Sequence, residues 1–352
     1  MKEVKDWLQM AVECGASDIF IGAGRNITFK VNGLIVSKGD RINAEESESL
    51  IKSLYVLGRR DVTKFERTGD DDFSMAVPEL ARFRVSALRQ RGTVAAVIRV
   101  VLFELPDYKK LGIPEGVMKI ASQKHGIALV TGPAGSGKTT TLACIIDEIN
   151  KNKRNHIITL EDPIEYLHKD IQSLITQREV SLDTESYLTA LRACLRQAPD
   201  IVLLGEMRDH ETIQTAMTAA ETGHLIISTL HTVGAVNTID RIVDVFPPGQ
   251  QQQIRVQLSM LLSIVVTQRL IPGKTGGSVP AFEIMHVNSA IRNLIRESKT
   301  HQIDNTIQTS SGEGMISMDA YINMLYQKGL ITSEAAVSHA TNPDQMAKKV
   351  NV

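Results

Sequence analysis

Gly132-Pro133-Ala134-Gly135-Ser136-Gly137-Lys138-Thr139 fits G-x-x-x-x-G-K-[ST], the phosphate-binding loop. Its glycines let the backbone turn several N–H groups toward one anion. Lys138 then reaches the β- and γ-phosphates of a nucleotide, and the Thr139 hydroxyl is placed to hold Mg²⁺. Thr140 closes the nucleotide-contacting run. The flanks agree with this reading. Ile127-Ala128-Leu129-Val130 is a short, continuous apolar run, as in a strand buried on both faces. Leu142, Ile145, Ile146 and Ile149 fall at i, i+3, i+4 and i+7, which marks an amphipathic helix. Strand, loop and helix together aim a helix N-terminus at a phosphate.

Outward from this loop, apolar runs alternate with helical patterns as far as residue 272. That alternation predicts an α/β fold, a mostly parallel sheet covered by helices. Pro272-Gly273-Lys274-Thr275-Gly276-Gly277 breaks the pattern, and residues 288–350 read as a small helical region. Residues 1–103 read as a separate α+β domain. Trp7, Leu8 and Val12 suggest a first helix, and Ser47–Leu57 a second. Asp18–Ile21 and Ile27–Val31 read as strands, with Asn32-Gly33 as a hairpin turn. Arg82–Ser86 and Ala95–Val101 read as strands paired through Arg91-Gly92. Residues 104–114, which hold Pro106 and Pro114, read as the interdomain linker. The division is thus 1–103, 104–114, 115–272 and 273–352.

Composition narrows the function classes. The 352 residues carry 39 Lys+Arg against 40 Asp+Glu, which argues against a dedicated nucleic-acid binder. Cys14, Cys144 and Cys194 form no C-x-x-C, so neither a zinc site nor a disulfide framework is expected. Cys144 and Cys194 sit among apolar residues and read as core fillers. No apolar stretch approaches the roughly 18–20 residues that span a bilayer. The longest candidate lies around Leu258–Val266. The charged start Met1–Asp6 is not a signal peptide. The expectation is a reduced, cytoplasmic protein with no direct membrane insertion.

Three further segments end an apolar strand on reactive side chains, where open α/β sheets bind ligands. Ile157–Leu160 runs into Glu161-Asp162-Pro163-Ile164-Glu165, with carboxylates for Mg²⁺ or an attacking water. Ile201–Leu204 runs into Gly205-Glu206, a Walker B-like end in which Glu206 orients Mg²⁺ or its waters. Leu225–Leu230 is flanked by His224 and His231. The two histidines stand roughly 23 Å apart along one strand and share no ligand on this chain. His231, at the carboxyl end, is the one placed to sense the γ-phosphate, and His224 reads as structural or as a subunit contact. Glu165 is the expected general base, because it lies past its strand end. Glu206 is expected on the metal side.

These motifs resemble those of the PilT/GspE-type secretion ATPase family. Thr159–Tyr166 is similar to its Asp box, Gly205–Asp209 to its Walker B, and Thr222–His224 through His231-Thr232 to its His box. Ala290-Ile291-Arg292-Asn293-Leu294-Ile295-Arg296-Glu297 resembles the signature of the pilus-retraction members, and Lys299–Ile303 continues it. By pattern alone that segment is only an amphipathic helix with Ile291, Leu294 and Ile295 inward. The resemblance covers essentially the whole chain. It implies a RecA-like P-loop ATPase domain, an N-terminal PAS-like α+β domain and a C-terminal helical appendage. It implies a Mg²⁺-dependent ATPase that works as a homo-hexamer in type IV pilus retraction, against the inner-membrane platform protein of the pilus machine. It also implies that Arg84 and Arg99 contact phosphates from outside the phosphate-loop domain. Two departures stand out: Ser298 replaces a frequent Gly, and Ala198 a frequent acidic residue before Pro199-Asp200.

Other classes fit less well. A GTPase needs Asn-Lys-x-Asp, and Asn150-Lys151-Asn152-Lys153 lacks the Asp. A DNA translocase needs a basic, aromatic-interleaved tract. A scaffold that only binds ATP would be expected to lack Glu165 or Glu206, and both are present. An assembly or type II secretion ATPase of the same family would resemble a longer chain, often with a four-cysteine metal site.

Overall fold

The computed structural model describes residues 3–31, 33–101 and 105–350, in two compact units. One unit comprises 1–104 with 165–167, and the other 105–164 with 168–352. The first is built on a six-stranded antiparallel sheet: β1 (Ala16–Gly22), β2 (Asn26–Val31), β3 (Leu34–Arg41), β4 (Asp70–Val77), β5 (Ala81–Gln90) and β6 (Thr93–Val101). Its order is β3-β2-β1-β6-β5-β4. The paired strands expected around Arg91-Gly92 are β5 and β6. Asn32 lies outside the described residues, and Gly33 has φ +80°, as a tight turn requires.

Period-two alternation decides the faces of this sheet. Ile19, Phe29, Phe83, Val85 and Ile98 are buried in one cluster with Leu8 and Leu54 from the helices Val4–Glu13 and Ala44–Leu57. The second helix begins on a capping box: the Asn43 side chain accepts from the Glu46 N–H, and the Glu46 carboxylate accepts from the Asn43 N–H. The opposite face carries Arg84, Arg99 and Lys30.

The second unit holds β7 (Gly126–Thr131), β8 (His156–Glu161), β9 (Leu174–Glu179), β10 (Ile201–Leu204), β11 (Leu225–Leu230), β12 (Leu262–Pro272) and β13 (Ser278–His286). The order is β13-β12-β7-β11-β10-β8-β9, parallel except for the β13 edge. Every residue of β7 is buried. Ile127 and Leu129 enter one core and Ala128 and Val130 another, so helices cover both faces of the sheet.

Two features differ from the sequence expectation. The sheet does not stop at residue 272: Pro272–Gly277 is a hairpin turn that leads into β13. The apolar stretch around 258–266 is the end of the helix Pro248–Leu261 followed directly by β12. The C-terminal helices form no separate core. Ile291, Ile295, Ile303 and Ile307 join the cluster on one face, and Met318, Tyr321, Ile322 and Leu325 the cluster on the other. Cys144 and Cys194 are buried, and burial pushes each thiol up to about 11.

The helix Ser289–Arg296 ends in a Schellman motif. The Ser298 N–H donates to the Ile295 carbonyl at 3.3 Å and the Lys299 N–H to that of Leu294 at 2.9 Å. This places Ser298 at φ +59°, where a Cβ is strained. Ser298→Gly is therefore expected to stabilise the protein by about 0.5–1 kcal/mol, a rise of roughly 1–2 °C in Tm by calorimetry. A lower Tm would show that the hydroxyl contributes more than the backbone strain costs.

Candidate functional site

The phosphate loop is a backbone structure first. Gly132, Gly135 and Gly137 have φ of +141°, +76° and +87°. A Cβ on Gly132 would lie 2.2 Å from the Gln268 carbonyl oxygen, so only glycine fits there. The helix Lys138–Asn152 starts immediately after Gly137. Lys138 is buried, and its Nζ donates to the Gly132 and Pro133 carbonyls at 2.9 Å each. Burial lowers its pKa, while Glu206 opposes that shift. Pro133, Ala134 and Gly135 are exposed, and Ser136 is buried with an unpartnered hydroxyl. Thr139 and Thr140 are half-buried on the first turn.

Parallel pairing of β7, β11, β10 and β8 brings their carboxyl ends to one rim. Strand spacing puts the end of β10 about 10 Å from that of β7, and β8 about 14 Å away. Glu206 Oε2 accepts from Arg208 Nε at 2.6 Å and lies 3.5 Å from His231 Nε2. The structure thus brings Lys138, Glu206 and His231 to one region. Glu206, Arg208, Thr229, His231 and Arg241 line a cleft of about 260 Å³.

His224 Nδ1 lies 2.9 Å from the Ala219 carbonyl oxygen at a helix end. Glu161 is buried, accepting from Thr159 Oγ1 at 2.6 Å and Gln177 Nε2 at 3.2 Å. Glu165 is exposed and falls in the first unit. Arg84 and Arg99 also belong to the first unit, directly opposite each other on β5 and β6. Arg99 Nε donates to Asp18 Oδ1 at 3.1 Å.

Several neighbours of the site were not singled out from sequence. Arg208 pairs with Glu206, and Arg241 enters the cleft from the helix Ala235–Asp244. Tyr187 explains Gly205: a Cβ there would lie 2.6 Å from the phenol oxygen. Burial, with Asp162 and Glu206 nearby, pushes that phenol's pKa up. Gln268 lies beneath the loop. A signal existed for Gln268, a polar amide in a strand that is otherwise largely apolar.

The family model for type II/IV secretion system proteins matches residues 1–279. The chain belongs to that family. It is 43% identical over 345 residues to the type IV pilus retraction ATPase PilT of Pseudomonas aeruginosa, covering 97% of this chain and 99% of that one. It is 45% identical over 307 residues to a twitching motility protein of Neisseria gonorrhoeae, covering 87% and 82%. A crystal structure of the pilus retraction motor PilT with bound ADP superposes with a TM-score of 0.92 at 44% identity, over 99% and 100% of the two chains. The RecA-like arrangement, with its N-terminal domain and C-terminal helices, is thus the family's own. With the phosphate loop and the Glu206 rim in place, the chain is an ATPase of this family.

The donor set suits Mg²⁺. Thr139 and Glu206 offer hard oxygens at the phosphate-loop helix and at the end of β10. Mg²⁺ prefers such oxygen ligands and takes the rest from substrate phosphates and water.

Proposed function

We propose that this chain is the motor ATPase of type IV pilus retraction, working as a homo-hexamer against the inner-membrane platform protein of a pilus machine. The observation that carries this reading is the end-to-end match to pilus-retraction ATPases in a chain with an intact phosphate loop and Glu206–His231 rim. The alternative of an assembly or type II secretion ATPase lacks a specific observation in its favour. Among the described residues, no helix is long and apolar enough to cross a membrane. That suits a cytoplasmic motor held at the membrane's inner face by its partner.

In this reading the phosphate-loop amides and Lys138 bind the β- and γ-phosphates, and Thr139 and Glu206 hold Mg²⁺. The ion neutralises charge on the phosphate oxygens when bound. Glu165 accepts a proton from the attacking water. His231, beside Glu206, reads the γ-phosphate. Arg84 and Arg99 lend positive charge from the first unit.

Glu165→Gln tests the division of roles. It is expected to bind ATP with Mg²⁺ normally and to turn over at least ~10²-fold slower. Phosphate release, nucleotide titration and size-exclusion mass at several concentrations measure all three properties. If the variant fails to bind nucleotide, the roles of Glu165 and Glu206 exchange. A wild-type chain that stays monomeric at all concentrations would count against a ring.

A further inference from the structure

β12 carries three consecutive polar residues, Thr267-Gln268-Arg269, within a largely apolar strand. Each has a partner elsewhere in the ATPase unit. Thr267 Oγ1 lies 2.9 Å from Thr131 Oγ1, at the end of the strand that feeds the phosphate loop. Arg269 Nη1 donates to the His339 carbonyl at 2.6 Å, on a C-terminal helix. Gln268 meets the phosphate loop itself. Its Oε1 accepts from Thr141 Oγ1 at 2.7 Å, on the first turn of the helix behind the loop. Its Nε2 lies 2.9 Å from where a Cβ on Gly137 would stand, and its backbone oxygen 2.2 Å from where one on Gly132 would stand. For both glycines the nearest non-adjacent atom belongs to Gln268.

We propose that Gln268 is a positioning residue for ATP hydrolysis. It holds both outer bends of the phosphate loop and the helix's first turn in one register. Lys138 and Thr139, which lie between those anchor points, then present their ammonium and hydroxyl at fixed places. The inference rests on the ATPase reading above.

Gln268 is 3% exposed, as is Ser136 inside the loop, so neither side has room to adjust. A buried amide is costly unless its hydrogen bonds are made, and here Oε1 is satisfied by the phosphate-loop helix. A leucine would fill similar space in the strand and leave Thr141 unpartnered. A loop displaced by about 1 Å costs up to roughly 10²-fold in rate, because the reacting geometry is lost while the ground-state phosphate contacts largely persist. Gln268 meets Gly132, Gly137 and Thr141 and acts only through the loop.

The test uses the full chain and a double-mutant cycle. Gln268→Leu is expected to lower kcat by about 10–100-fold, with KM for ATP changed by less than about threefold. Thr141→Val, which removes the same hydrogen bond from the other side, should lower kcat similarly. Thr141→Ser keeps the hydroxyl and should retain the wild-type rate. Together, Gln268→Leu and Thr141→Val should cost no more than the worse single change, since one interaction is removed twice. If Gln268→Leu does not fold, the Thr141→Val and Thr141→Ser pair still decides the matter. A folded Gln268→Leu variant within twofold of the wild-type kcat overturns the proposal, as do losses that multiply across the cycle. A wild-type chain with no ATP hydrolysis would instead remove the ATPase reading and leave the positioning role without a reaction.

Discussion

Lys138→Ala is expected to lose ATP hydrolysis by about 10²–10³-fold or more, to background in a standard phosphate-release assay. The loss is electrostatic. Charge develops on the γ-phosphate oxygens as the bond breaks, and Lys138 is the cation built into the loop that cradles them. Its ammonium is anchored on the Gly132 and Pro133 carbonyls at 2.9 Å, and burial around it raises the strength of any charge interaction it makes. Alanine removes that charge and leaves a loop whose bends are still set by glycine. Thermal melting should therefore change little while turnover vanishes. Wild-type-like turnover in a folded Lys138→Ala protein would remove the central claim about this site.

The second large effect is expected from Arg84 and Arg99. An arginine supplied from outside a phosphate-loop domain is worth about 10³–10⁵ in kcat. These two stand directly opposite each other on neighbouring strands, an arrangement that like charges disfavour. Asp18 offsets only part of that repulsion, through its contact with Arg99 Nε. Arg84 is exposed and, among the described residues, makes no ion pair with an acid, which suits it to an anion. Arg84→Ala should thus fold and assemble normally, because it relieves a repulsion, whereas Arg99→Ala also takes the ion-pair partner from buried Asp18 and should fold with some loss of stability. They should also bind ATP yet hydrolyse it slowly. Mixing Arg84→Ala subunits with Lys138→Ala subunits distinguishes two routes. Partial recovery is expected if the arginine serves a neighbouring subunit, since some interfaces then join an intact loop to an intact arginine. No recovery in rings shown to be mixed would count against a simple trans mechanism, leaving action within one chain or coupling across the whole ring.

Segments whose meaning is local were legible in the sequence. The glycine bends at 132–137, the helix that follows, the β5–β6 hairpin and the fully apolar strands could each be read from a few adjacent residues. β3 was not, because its Leu34, Ile35 and Val36 are exposed on an edge strand and give no alternation. β13 was not, because it follows a Pro-Gly turn that also reads as a domain end. The backbone of Ser298 adopts a glycine-like conformation that only the Schellman turn after Arg296 imposes.

The sequence by itself determined the chemistry: a phosphate loop, acidic and histidine strand ends after it, and a doubly covered α/β sheet to carry them. Those are properties of short contiguous stretches, where side-chain size, charge and backbone freedom act over a few residues. Tertiary structure alone decided which of these stretches touch. β12 lies beside β7 rather than at an edge, which puts Gln268 under a loop more than a hundred residues earlier in the chain. Parallel pairing of β10 with β11 sets Glu206 against His231, and the turn after β10 adds Arg208. Strand order follows from how both faces of the whole sheet are buried by helices, a sum over distant contacts that no local pattern records.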